Sequence, residues 1–140
     1  MLLFKPWHVP MIVEGKPRWK TQTRRFGKRR WRVRAIHQCA TRLFDRNAVF
    51  ARVEILRVWS ERLGAISLED ANAEGYDTVQ DFLVAFHQVN RTRRTAAARR
   101  EVANREVWVV EFTPVDSDGT LCPEVVQYLR ELYGGGHCFT

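Results

Sequence analysis

The sequence predicts a small mixed α+β domain in which a sheet or barrel of short strands carries short helices. Three observations predict it. The chain has 140 residues, of which 45% are apolar, so one domain with a real core can form. Segments 31–41, 48–59 and 106–113 are rich in β-branched and aromatic residues, in alternation or in near-continuous apolar runs. Between them lie brief helical patterns introduced by hydroxyl residues.

In chain order, Leu2-Leu3-Phe4 reads as a short strand ended by Pro6. Residues 8–14 read as a short helix closed by Gly15, which tolerates a left-handed C-terminal position. Residues 16–19 read as a loop, and 20–25 are polar with no clear period. In 31–41, Trp31, Val33 and Ala35 alternate with Arg32 and Arg34, predicting a strand with room for an irregularity. Residues 48–59 are the clearest strand, and their apolar character predicts burial on both faces at some positions. Ser67 and Thr78 each precede a helical pattern, their hydroxyls capping free amides. The first pattern ends near Gly75, and the second places Phe82, Leu83, Phe86 and Val89 on one face. Residues 91–105, rich in Arg and Ala, either extend that helix or form a basic loop. Residues 106–113 alternate as a strand. A turn-rich break follows, then a short amphipathic helix at 123–133, a stop at Gly134-Gly135-Gly136, and a loose tail.

Lys and Arg total 23 against 16 Asp and Glu, a formal charge of +7. The excess is local. Residues 16–34 carry Lys16, Arg18, Lys20, Arg24, Arg25, Lys28, Arg29, Arg30, Arg32 and Arg34, and no acid. Such a segment concentrates polyanions near the surface, or is simply a solvated basic face. No apolar run approaches the roughly 18 residues of a membrane span, and Lys5, His8 and Glu14 interrupt the early apolar stretch. Cys39, Cys122 and Cys138 are odd in number and form no CxxC pair. Reduced thiols and a cytoplasmic location are expected. Cys122, His137 and Cys138 match no standard zinc spacing, so no metal or cofactor is expected. Clustered acids suited to a metal-dependent nuclease are not visible.

Several separate segments resemble one family in the right order. These are Leu2-Leu3-Phe4-Lys5-Pro6, residues 8–15, Lys20-Thr21-Gln22-Thr23-Arg24-Arg25, Phe50-Ala51-Arg52-Val53-Glu54-Ile55, residues 63–76, and Val107-Trp108-Val109-Val110-Glu111-Phe112. Together they resemble the ASCH domain, a compact barrel of the PUA-like superfamily, over about residues 2–114. The basic stretch Gly27-Lys28-Arg29-Arg30-Trp31-Arg32 departs from the pattern. The resemblance implies a PUA-like β-barrel with short helices packed on it over 1–114, and a C-terminal extension over 115–140. It implies binding of RNA, single-stranded nucleic acid or a nucleotide in a basic cleft. Alternatively it implies an amidohydrolase of N4-acetylcytidine-like modified nucleosides, with Lys20, Thr23 and Glu74 as catalytic residues.

The residue chemistry suits both. A lysine with a lowered pKa can serve as base toward a threonine hydroxyl, and a carboxylate can steer water or shuttle a proton. Arg24 and Arg25 have the planar fork that pairs with phosphate, or they pair with the acids of residues 69–81. Trp19, in a loop, can stack on a base; Trp31 reads as core, and Trp7, Trp59 and Trp108 as packing. Thr21 and Tyr76 complete the expected ligand-binding set, and Lys28, Arg29 and Arg30 add long-range attraction. The two functions demand different shapes. A hydrolase needs Lys20 and Thr23 at a pocket sized for one base. A polymer binder needs an open groove continued by residues 28–34.

Overall fold

The long strand predicted at 48–59 is the spine of the fold. In the computed structural model, which describes residues 1–115, it runs as β4, Val49–Arg62. Strands β1 (Leu2–Leu3), β2 (Gln22–Arg25), β3 (Ile36–Ala40) and β5 (Glu106–Val115) complete one sheet in the order β1-β3-β4-β5-β2. All neighbours are antiparallel except β1 and β3, where Leu2 faces Cys39. A register shift between Ile55 and Arg57 bends β4 against β5, as a bulge does. The result is a curled, half-barrel sheet with short helices, an α+β domain.

Curling brings the two edge strands together. Arg25 Nη2 of β2 donates to Leu3 O of β1 at 2.7 Å, closing part of the seam and satisfying an edge carbonyl. One core lies inside the curl, built on Phe4, Ile12, Trp31, Val53, Ile55, Val110 and Phe112. Phe4 sits 5.6 Å from Phe112, centroid to centroid. A second cluster, with Leu63, Ile66, Phe82, Phe86 and Val107, seats the helices α2 (Leu68–Ala73) and α3 (Val79–Val89).

The expected helix starts are present. Ser67 Oγ accepts from Asp70 N at 3.1 Å and Thr78 Oγ1 from Asp81 N at 3.0 Å, each cap worth about 1 kcal/mol. The early helix is a 3-10 turn at Pro6–His8 followed by α1, Val9–Val13, and Gly15 takes φ +70° beyond it. Gly75 likewise takes φ +103° after α2.

Several expectations are corrected. The strand expected from Trp31 begins only at Ile36, because Arg34 turns the chain with φ +72° and donates its N–H to Ile55 O. Trp31 is buried as expected. Trp7, expected to pack, is 56% exposed. Residues 91–105 neither continue α3 nor form an open loop. Arg91, at φ +53°, breaks the helix, and Thr95 caps a separate α4, Ala96–Ala103. The helix expected at 123–133, the tail, Cys122 and Cys138 lie outside the described residues. Among those described, no helix is long and apolar enough to cross a membrane.

Candidate functional site

The polar segment 20–25 has no hydrophobic period because it contains the edge strand β2, and its Lys20 and Arg24 side chains are taken up by carboxylates. β2 pairs with β5, Thr23 opposite Val110. Its alternation puts Gln22 and Arg24 on one side and Thr23 and Arg25 on the other. Each side makes its own contact: Arg24 Nη1 donates to Gln22 Oε1 at 3.0 Å, and Arg25 Nε donates to Thr23 Oγ1 at 3.1 Å.

The short helix α2 ends against this segment. Its last carbonyls need donors that the helix cannot supply. Thr21 N donates to Ala73 O at 2.8 Å, and Lys20 Nζ donates to Glu74 O at 2.6 Å. A cation at a helix C-terminus also suits the backbone dipole. Lys20 Nζ further donates to Gln22 O at 2.9 Å and to Glu74 Oε1 at 3.0 Å, so all three ammonium protons are placed. Arg18, not singled out by the sequence, fastens the same corner by donating to Asn72 Oδ1, to Tyr76 O and to Asp77.

Glu74 is the hub. Its Oε2 accepts from Arg24 Nη1 at 2.9 Å while Oε1 meets Lys20. Lys20, Arg24 and Glu74 are all buried, at 2%, 4% and 4% exposure. Arg24 also donates to Glu61 at 2.6 Å and lies 3.4 Å from Asp70. Arg24 therefore takes the ion-pair alternative, its fork filled by carboxylates and not held open for phosphate. Burial pushes Lys20 below the usual lysine value, and the attraction of Glu74 only partly opposes this. Burial, and then the charge of Glu74, push the Tyr76 phenol up.

These groups line a cleft of about 500 Å³, within the range of small-molecule sites. Lys20, Thr23, Arg24, Arg25, Glu74 and Tyr76, all singled out in the sequence, meet there. Phe4, Phe82 and Phe86 supply its apolar walls, and His8 lines it too. The sequence had marked Phe82 and Phe86 only as a helix face, and the position of Phe4 beside Lys5-Pro6 carried no ligand signal. The remaining expected site residues lie elsewhere. Trp19 is half-buried and packs over Gly15, away from the cleft lining. Thr21 is 1% exposed, and its hydroxyl has no hydrogen-bond partner among the described residues. Lys28, Arg29 and Arg30 are exposed and do not line the cleft; Arg29 instead lies over the Trp108 ring. No group of three or more His, Cys, Asp or Glu suited to a metal ion occurs among the described residues.

Comparison with protein-family models, curated proteins and solved structures gives no match to this chain.

Proposed function

We propose that the cleft binds one modified pyrimidine nucleoside unit and hydrolyses its N-acyl group, in a PUA-like barrel of the ASCH type. The observation that carries this reading is the buried Lys20–Glu74 pair at 3.0 Å in a cleft also lined by Thr23. A buried lysine lowered by desolvation and set beside a carboxylate in a cleft is the kind of group that moves a proton in an active site. Phe4, Phe82 and Tyr76 offer apolar and aromatic surface for a flat base.

The chain's residues then divide the work. In the fraction of molecules where Lys20 has lost its proton, its amine takes the Thr23 hydroxyl proton as Oγ1 attacks the acyl carbon. Arg25 Nε, donating to that oxygen, favours its alkoxide character. The tetrahedral adduct collapses as the exocyclic amine leaves with the proton from Lys20. Water then hydrolyses the acyl-threonine ester, Lys20 again holding the proton, to release the carboxylic acid. Glu74 and the two carbonyls orient the lysine throughout.

The test is incubation with N4-acetylcytidine and chromatography for cytidine. Turnover is expected from the native chain and loss of at least ~100-fold from Lys20→Ala and Thr23→Ala. The rate should fall as pH drops, because protonation removes the base, with a midpoint below the ordinary lysine value. A folded protein without turnover, or Lys20→Ala with full turnover, defeats the proposal.

A second reading, binding of RNA, rests on the exposure of Lys28, Arg29, Arg30, Arg32 and Arg34 with no acid between them. Its signature is RNA affinity that falls steeply with salt and weakens when these residues are neutralised. Indifference to RNA at low salt would sink it.

A further inference from the structure

The charge of the cleft does not match an uncharged ligand. Its lining holds four cationic side chains, Lys5, Lys20, Arg24 and Arg25, against one carboxylate, Glu74. Glu74 is already shared by Lys20 and Arg24, and Arg24 takes Glu61 and Asp70 besides. Arg25 is left over. It is partly buried and lies 5.6 Å from the Phe4 ring centroid. Among the described residues no carboxylate lies within ion-pair distance of it. Its contacts to Thr23 Oγ1 and Leu3 O are to neutral oxygens. Lys5, exposed on the same lining, likewise has no ion pair among the described residues. His8 adds no further charge near neutral pH, because burial and the neighbouring cations lower it to about 3.

A guanidinium withdrawn from water and left without a counter-ion is costly to the folded protein unless an anion completes it. The planar fork suits a phosphate better than a point charge does, and Lys5 on the same cleft lining adds a second donor. On the far rim, Asn90 lines the cleft and leads directly into Arg91, Arg93 and Arg94, all exposed. The field over the mouth is therefore positive on both sides.

We propose that the nucleoside unit bound here carries a phosphate, held by Arg25 and Lys5. This rests on the reading of the cleft as a nucleoside site and names the charged class of its ligand. The phosphate belongs either to a free mononucleotide or to a nucleotide within an RNA chain.

Equilibrium dialysis of the Thr23→Ala chain, which leaves the acyl group intact, tests it with three probes: N4-acetylcytidine, its 5′-monophosphate, and an RNA trinucleotide with the acetylated cytidine in the middle. The monophosphate should bind at least about tenfold more tightly than the nucleoside. That advantage should shrink with added salt, vanish in Arg25→Gln and be reduced in Lys5→Gln. A trinucleotide tighter than the monophosphate assigns the phosphate to RNA, and a weaker one assigns it to the free nucleotide. Equal affinity for nucleoside and monophosphate, with nucleoside turnover by the native chain intact, overturns the phosphate site and leaves the hydrolase reading standing. Binding of none of the probes and absence of turnover overturn both. Arg25 also closes the β1–β2 seam, so each variant is checked by thermal melting. Where Arg25→Gln does not fold, an unchanged phosphate preference in Lys5→Gln counts against the site.

Discussion

Replacing Glu74 by alanine should destabilise the fold by about 3–5 kcal/mol, the loss typical of breaking a buried ion pair from one side. Lys20 and Arg24 would then face each other across the vacated space, both nearly excluded from water. Arg24 keeps Glu61 and Asp70, but Lys20 loses its only ion-pair partner among the described residues. The helix end anchored by Lys20 and Thr21 would loosen with it. Urea denaturation at neutral pH measures the loss. Lys20→Met combined with Glu74→Gln separates stability from chemistry. Met matches the lysine in length and bears no charge, while the Gln oxygen still accepts from Arg24. This double variant should recover stability to within about 1–2 kcal/mol of the native chain while remaining without turnover. Native stability in Glu74→Ala would show that the ionic hub does not hold α2 against β2.

How much of this was legible in the sequence depends on the range of the forces involved. Helix starts at Ser67 and Thr78, and the glycine stops at 15 and 75, are set within one turn of chain, and they were readable. So were β4 and β5, where β-branched and aromatic residues dominate. The start of β3 was not, because alternation at Trp31, Val33 and Ala35 does not register a single left-handed residue at Arg34. The fate of Arg24 was equally hidden. Its partners are Glu61, at the end of β4, and Asp70 and Glu74 of the α2 region. Only the curl of the sheet brings them to one guanidinium. Segment charge alone treated residues 16–34 as uniform, whereas folding divides them. Lys20 and Arg24 are buried and neutralised, Arg25 lines the cleft, and residues 28–30 stay in solvent. The convergence of Lys20, Thr23 and Glu74 was indicated by family resemblance, while spacing along the chain, 54 residues from Lys20 to Glu74, carried no such information. Trp19 sits away from the cleft lining for a local reason: the absent side chain of Gly15 leaves the space its ring fills.

Acid should destabilise this protein through His8, well above the pH at which most carboxylates titrate. His8 is 6% exposed, its ring meets Tyr76 edge-on at 5.7 Å, and its Nε2 has no hydrogen-bond partner among the described residues. Burial first, then the charges of Lys20, Arg25 and Lys5, lower it from 6.5 to about 3. In the unfolded chain His8 takes up a proton below its ordinary value of about 6.5, while in the folded chain it stays neutral until about 3. The unfolded state thus binds more protons in this window, and stability falls as pH falls through it. The full loss by pH 3 is about 5 kcal/mol, and by pH 4.5 about 3 kcal/mol. His8→Phe keeps a ring against Tyr76 and removes the titration. Urea unfolding at pH 7.5 and pH 4.5 should therefore show the native chain losing about 3 kcal/mol more than His8→Phe. All other groups are common to both chains, so the difference isolates the histidine. Equal losses in the two proteins would mean that His8 protonates in place without penalty. That outcome would also alter the electrostatics of the cleft. A neutral His8 leaves the charge of the cleft to Lys5, Lys20, Glu74 and the two arginines, and so keeps Lys20 free of one more neighbour that would change its charge near neutral pH.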